Sequence, residues 1–359
     1  MRLESIESLR KLKGPVLITG HTGFKGTWLT LLLESQGVEV FGISLEPTEN
    51  SLYSALNRRG MIHEKFLDIC DFESLKFTVS QIEPAVVFHL AAQSLVLESY
   101  RNPLGTFKTN IIGTANLLES VNHLKEETTI VSITTDKVYE NLNSNHKYSE
   151  GEKLKGKDPY SSSKVGAEAA ITAWRNMWNV NGSHRICAAR AGNVVGGGDL
   201  SSDRLIPDVI RSIVNKDNVN IRNPKSKRPW QHVLDPLIGY VYSANALLEG
   251  KDFECINFGP TEQSLSVEEV LGIASNEFKG YFRYEVSKIT TNNPNLESSY
   301  LDLDSTFANK NLKWLPKWDQ KEAIIRTFSW WKSVISKEMS AYEACKLDIE
   351  DFLNNNSIS

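Results

Sequence analysis

The chain has 359 residues, a net charge of −4, 40% hydrophobic residues and 23% charged residues. Single cores rarely grow beyond roughly 250–300 residues, so this length suits one large α/β unit with a smaller companion. The charge balance gives no general argument for nucleic acid or an anionic membrane, four scattered cysteines without a CxxC pair argue against a zinc site or disulfide framework, and no stretch supplies the roughly 18 apolar residues of a membrane span.

Met1 to Lys13 reads as a mixed-charge helix without the apolar centre of a signal peptide. Val16–Thr19 reads as a buried strand, followed by a glycine turn and a helix from about Gly26 to Gly37. Val38–Ile43 is the second strand, and a third precedes Asp68. Ala85–Leu90 and Thr129–Ile133 are further apolar strands. Continuous apolar runs separated by helices indicate a parallel sheet covered on both faces, the doubly wound Rossmann type, whose sites lie at the carboxyl ends of its strands. The pattern changes after Asn193. Gly196-Gly197-Gly198 reads as a flexible break, Ile206–Asn215 as a helix and Val219–Arg222 as a short strand. Ser266 with Glu269 has capping-box spacing and opens a helix to about Phe278, and the tail from Tyr300 to Asn354 is helical and rich in Trp and Lys. The division expected is residues 1–193 with a return segment near 230–257 as the sheet domain, and 194–229 with 258–359 as a smaller C-terminal lobe.

Between the first strand and its helix stands Thr19-Gly20-His21-Thr22-Gly23-Phe24-Lys25-Gly26. Glycines at Gly20 and Gly23 leave room for a turn and an approaching pyrophosphate, Gly26 allows close packing of the helix, and its N-terminus offers free N–H groups. The alternative is a structural tight turn. The acid expected for the adenosine ribose is missing: the second strand ends at Ser44, with Glu46 two residues on. That leaves NAD only partly favoured over NADP. Asp68 and Ile69 are placed to touch adenine, or to form a solvated loop.

Asp158-Pro159-Tyr160-Ser161-Ser162-Ser163-Lys164 places Tyr160 and Lys164 on one face of a helix that Pro159 opens. A phenol of pKa near 10 is a poor base at neutral pH, and a nearby ammonium favours its phenolate. Ser132–Tyr139 is a strand running into polar residues, where Thr135 can hold a substrate hydroxyl and Asp136 with Lys137 is either an acid–base pair or a surface ion pair.

These motifs, with His89-Leu90-Ala91-Ala92, resemble the extended short-chain dehydrogenase/reductases that act on nucleotide sugars. Longer stretches are similar to the branch acting on CDP-glucose: Thr135–Asn141, Arg190–Asp199, Asp203–Asp208, Ile221–Pro224, Arg228–Val233 and Asn257–Pro260. In the dTDP-glucose branch the position of Lys137 is usually glutamate, and Ser44 also looks like the CDP branch. The resemblance implies a 4,6-dehydratase, a hydro-lyase, that retains NAD and has CDP-glucose as substrate. It implies catalytic roles for Thr135, Asp136, Lys137, Tyr160 and Lys164. Cofactor contacts fall on Gly20, Thr22, Gly23, Phe24, Lys25, Gly26, Ser44, Asp68, Ile69, Leu90, Ala91 and Ala92, besides Tyr160 and Lys164. Substrate contacts fall on Asn193, Arg204, Leu205, Arg222 and Arg228. Trp230 is a stacking partner for the base or, more in keeping with a single Trp, part of the core; His89 and His232 are structural. A homodimer or tetramer in the cytoplasm, supplying a deoxysugar for bacterial surface polysaccharide such as lipopolysaccharide O-antigen, is the setting implied. A dehydratase or epimerase for dTDP or UDP sugars, and a non-catalytic NAD-binding regulator, remain as alternatives.

Overall fold

The computed structural model describes residues 2–142, 146–221, 223–279, 282–286 and 300–354. The chain begins with α1 (Arg2–Arg10), β1 (Val16–Thr19), α2 (Phe24–Glu34), β2 (Val40–Ser44), α3 (Leu52–Ala55), β3 (His63–Phe66), α4 (Phe72–Ile82) and β4 (Val86–His89). Next come α5 (Val96–Arg101), α6 (Pro103–Phe107), a π-helical turn (Lys108–Ile112), α7 (Gly113–Asn122), β5 (Thr129–Ile133) and a 3-10 turn (Asp136–Val138). β6 (Lys147–Tyr148), α8 (Pro159–Asn181), β7 (Arg185–Ala191), β8 (Asn193–Val195), α9 (Leu205–Asn215), β9 (Val219–Ile221), β10 (Lys227–Arg228) and β11 (Trp230–His232) follow. The chain then forms α10 (Leu234–Leu248), β12 (Cys255–Phe258), β13 (Leu265–Ser266), α11 (Val267–Glu277), β14 (Tyr284–Val286), β15 (Asp302–Leu303), α12 (Thr306–Leu312), α13 (Gln320–Ile335) and α14 (Ala341–Leu353).

Seven of these strands form one parallel sheet in the order β12-β7-β5-β4-β1-β2-β3. Strands β1, β4, β5 and most of β7 are buried along their length, as their unbroken apolar runs require. Helices α4, α7 and α8 pack together, and α2 and α10 contact one another and the sheet. The order runs outward from β1 through β2 to β3 and, on the other side, from β4 through β5 to β7. The strand order therefore reverses between β1 and β4, which opens a crevice at their carboxyl ends. There Leu90 N donates to Thr19 O at 3.0 Å and Ala91 N to Thr19 Oγ1 at 3.3 Å, so the two strand ends are tied together.

The remaining strands are two or three residues long and pair outside the main sheet: β8 with β11, β10 with β13, β9 with β14 and β6 with β15. The β8–β11 pairing sets Asn193 opposite Trp230. The tryptophan-rich tail is core material. Trp314, Trp318, Trp330 and Trp331 share one cluster of buried side chains with Trp28 of α2 and Val16 and Ile18 of β1. Trp230 belongs to it too, with its indole N–H on Leu265 O at 3.4 Å. At about 1.5–3 kcal/mol per large apolar side chain buried, such a seam fixes the tail firmly against the sheet.

Gly196-Gly197-Gly198 is not a flexible break. Trp28 Nε1 donates to Gly197 O at 3.0 Å, and a Cβ on Gly197 would meet the Trp330 ring at about 2.0 Å. Each glycine is packed against a different neighbour: a Cβ would meet Val233 at Gly196, Trp330 at Gly197 and Leu52 at Gly198, which also has φ +81°, a demand that composition alone does not reveal. The second strand is also displaced, running Val40–Ser44 rather than from Val38.

Candidate functional site

Gly20 leaves β1 with φ +78°, a conformation that favours glycine, and a Cβ there would lie 2.8 Å from Ala91 N. A Cβ on Gly26 would lie 2.1 Å from Gly20 O. The first turn of α2 therefore packs directly on the backbone leaving β1, which a side chain at position 26 would prevent. α2 begins at Phe24 with Gly23 as an extended N-cap that has no side chain to cap it, so the first amides of the helix remain free to face a ligand.

At the adenosine end, Ser44 is buried with its hydroxyl 2.6 Å from Thr22 Oγ1. Glu46 pairs with Arg59 on the surface. Asp68 is exposed and accepts from Cys70 N at 2.9 Å, while Ile69 is buried against Gly113. Behind the turn, His21 lies 2.9 Å from Glu64 Oε2, which also accepts from Tyr53 at 2.6 Å. His89 is a buried strut between Thr19 Oγ1 (2.7 Å) and Thr114 Oγ1 (3.0 Å), its pKa pushed down to about 3 by burial and then by Lys164.

Across the crevice, Asp158 caps α8 in a reciprocal capping box with Ser161, and Pro159 occupies the first turn. Tyr160 N donates to Ser99 Oγ at 3.1 Å, which fixes the helix start. Tyr160 and Lys164 are both buried, and Lys164 Nζ donates to Ile133 O at 3.1 Å. Burial pushes the Tyr160 phenol up to about 12; Thr135 and Arg204 oppose the rise, and Asp136 adds to it. Lys164 is lowered to about 8 by burial, against the pull of Glu168. The phenol therefore stands above its ordinary range, desolvation outweighing the Thr135 hydrogen bond and the Arg204 charge.

The 3-10 turn after β5 gathers the polar residues expected there. Thr135 caps it and donates to Asp136 Oδ1 at 2.9 Å, and Lys137 Nζ lies 3.3 Å from the same oxygen. Asp136 is 2% exposed whereas the Lys137 side chain is 36% exposed, so the pair is not a free surface ion pair. Lys25 reaches toward this cluster from the glycine turn. Its Nζ donates to Tyr240 Oη at 3.2 Å, and its pKa falls to about 7 through burial and then Arg204 and Lys164, with Asp136 opposing.

Of the residues expected to hold substrate, Arg204 pairs with Asp199 at 3.0 Å and stands at the N-cap position of α9 without a side-chain capping bond, and Leu205 opens that helix. Arg228 lies on β10 and donates to Lys227 O at 2.8 Å. Arg222 lies outside the described residues. A separate cavity of about 360 Å3 is lined by Lys147, Lys227, Thr261, Gln263, Tyr300 and Asp302 among others, and none of the expected site residues lines it.

Sequence reasoning missed the supports. Asn110, in the π-helical turn, donates to Gln93 O and Ser163 Oγ at 2.9 and 2.8 Å and accepts from Gln93 N at 2.8 Å. Glu168 and Arg190 form a buried pair behind the 3-10 turn. Glu168 follows Lys164 by one helical turn, a spacing visible in the sequence; nothing there signals Asn110.

A parallel sheet with a glycine turn at its switch point, facing a tyrosine and lysine one helical turn apart, defines an extended short-chain dehydrogenase/reductase. Residues 17–327 match the GDP-mannose 4,6 dehydratase family, and the chain belongs to that family. It is 40% identical over 352 residues to the CDP-glucose 4,6-dehydratase of Salmonella typhimurium (strain LT2), covering 94% of this chain and 96% of that protein. Its fold matches the UDP-glucose-4-epimerase of Stenotrophomonas maltophila with bound NAD (TM-score 0.78, 20% identity, 91% of this chain and 100% of that one). It also matches the dTDP-glucose 4,6-dehydratase DesIV of Streptomyces venezuelae with NAD (TM-score 0.74, 20% identity, 89% and 97%).

Proposed function

We propose that this chain is an NAD-dependent CDP-glucose 4,6-dehydratase that forms CDP-4-keto-6-deoxy-glucose with loss of water. The observation that carries the reading is the grouping of Asp136 and Lys137 with Thr135 beside Tyr160, an acid and a potential base beyond what hydride transfer alone requires. The 40% identity to the Salmonella enzyme supports the choice of nucleotide.

The turn fits a dinucleotide, because a Cβ at Gly20 or Gly26 would fill the space where the backbone folds back on itself. NAD would lie with its pyrophosphate on residues 20–26, its adenosine toward Ser44, Asp68 and Ile69, its middle along Leu90–Ala92 and its nicotinamide end near Tyr160 and Lys164. When bound, NAD would supply the hydride acceptor for C4 and the hydride donor for C6 of the sugar. Tyr160 takes the C4 hydroxyl proton while Thr135 holds that hydroxyl; the positive charge of bound nicotinamide would, with Lys164, bring the phenol down from about 12 so that it can act as a base. The C4 ketone acidifies C5. Lys137 then removes the C5 proton as Asp136 protonates the departing C6 hydroxyl, and a proton later returns to C5. Asn193, Arg204, Leu205, Arg222 and Arg228 hold the nucleotide diphosphate, guanidinium groups matching paired phosphate oxygens. In this reading residues 1–193 with 230–257 hold NAD, and 194–229 with 258–359 hold the nucleotide sugar.

Among the described residues no helix is long and apolar enough to cross a membrane. A cytoplasmic homodimer or tetramer supplying a deoxysugar for lipopolysaccharide O-antigen is the setting we propose. Exposed Tyr100, Leu104, Phe107 and Ile112, on the segment that packs against α8, support self-association. The test is incubation with NAD and either CDP-glucose or dTDP-glucose, with water loss read by mass spectrometry. Loss from CDP-glucose is expected; loss from dTDP-glucose alone overturns the nucleotide, and loss from neither brings an epimerase or a non-catalytic NAD-binding regulator forward.

A further inference from the structure

Tyr160, Lys164 and Glu168 stand at successive turns of α8. Glu168 is buried and collects donors from two other elements: Thr134 Oγ1 at 2.7 Å, and Arg190 through Nε at 2.9 Å and through Nη2. Arg190, on β7, extends past the catalytic turn to Tyr139 Oη at 2.7 Å and Glu150 O at 3.0 Å. Tyr139 in turn donates to Asn257 Oδ1 on β12 at 2.8 Å. Thr134 N also donates to Ala189 O on β7 at 2.9 Å. One ion pair thus grips the residue before Thr135 and the residue after the 3-10 turn that carries Asp136 and Lys137.

We propose that Glu168 and Arg190 are positioning residues: together they clamp the turn bearing Thr135, Asp136 and Lys137 from both ends, and Glu168 holds the charge state of Lys164. The proposal rests on the reading of Tyr160 and Lys164 as the working pair. A buried ion pair is an expensive way to gain stability, since desolvation offsets most of the attraction. Its geometry is better accounted for by alignment, because catalytic groups displaced by about 1 Å can lose about a hundredfold in rate. The charged and titratable groups around Lys164 come from three elements: Glu168 and Tyr160 on α8, Lys25 on α2 and His89 on β4. Glu168 is the anion that favours the protonated lysine; Lys25 disfavours it, and His89 is neutral.

Two variants separate alignment from charge. Glu168→Gln keeps the size of the side chain and removes the charge. Thr134→Val removes the hydroxyl that Glu168 holds and leaves the charge. Both are assayed with NAD on CDP-, dTDP-, UDP- and GDP-glucose, using whichever sugar the wild-type enzyme turns over. Wild-type turnover of a sugar other than CDP-glucose overturns the substrate reading and leaves the comparison of variants intact. The clamp requires kcat to fall about tenfold in both variants with KM nearly unchanged. It further requires the alkaline limb of kcat to move down by about one pH unit in Glu168→Gln and to stay in place in Thr134→Val. Glu168→Asp, which restores the charge, should restore the limb. Independently of substrate, amide exchange over Thr134–Tyr139 should quicken in both variants. An unmoved limb in Glu168→Gln, wild-type kcat in Thr134→Val, or unchanged exchange over the turn overturns the proposal.

Discussion

The two walls of the crevice are made from different materials. The wall after β1 is backbone: the Gly20 and Gly26 positions leave no space for a Cβ, and α2 presents its amides without a side-chain cap. The wall after β5 is side chain: Thr135, Asp136 and Lys137 are set on a short turn that Glu168, Arg190 and Tyr139 hold through hydrogen bonds. A backbone wall suits a pyrophosphate, whose oxygens need only N–H groups and room. Acid–base chemistry needs titratable groups, and those must be carried on side chains and kept aligned.

That contrast can be broken at its strongest point first. Gly26→Val should remove NAD binding altogether in a fluorescence titration, since its Cβ would fall 2.1 Å from Gly20 O. Overpacking of about 1–3 kcal/mol already corresponds to roughly 5–150-fold in affinity, and the clash here is with backbone, which yields less readily than a side chain. Tyr160→Phe is the counterpart on the other wall. It should leave NAD affinity nearly intact while lowering kcat by about 10²–10⁴-fold. Asp136→Asn should be more selective, allowing C4 oxidation but slowing water loss by about a hundredfold, read as accumulating NADH absorbance on mixing with CDP-glucose. Lys137→Ala should do the same by removing the base for C5; normal turnover in that variant would take Lys137 out of the chemistry.

The smallest effect lies in the buried seam of the C-terminal tail. Asp348 on α14 is buried, with its pKa raised to about 7 by desolvation against the pull of Arg326, and its Oδ2 stands 3.8 Å from His232 Nε2. A carboxyl whose folded pKa lies above its unfolded value binds its proton more tightly in the folded state. Its contribution is present in full below the unfolded pKa and is lost as pH rises toward about 7. The melting temperature should therefore fall between pH 5 and pH 8, and Asp348→Asn should flatten that slope without altering kcat; an unchanged slope would show that another group governs it.

The same contrast explains what could be read from the sequence. The glycine turn and the Tyr160–Lys164 helix are local, so their spacing in the chain is their spacing in space. The parallel sheet was legible for the same reason, strand by strand. The supports of the catalytic turn are not local: Arg190 meets Glu168 across 22 residues and Tyr139 across 51, and Lys25 meets Tyr240 across 215. Gly196–Gly198 is not legible because glycine composition looks the same in a loose loop as it does packed under Val233, Trp330 and Leu52. The arginines proposed to hold substrate are intermediate: Arg228 lies on β10, whose pairing with β13 joins distant residues, and Arg204 stands just before α9.

The central claim is that one active site oxidises C4 and reduces C6 of the same sugar. CDP-glucose labelled with deuterium at C4 tests it most directly, with unlabelled NAD and product analysis by NMR. The account requires deuterium in the C6 methyl group of the 4-keto product. Deuterium retained at C4 of an inverted sugar, or released into free NADH, would contradict it.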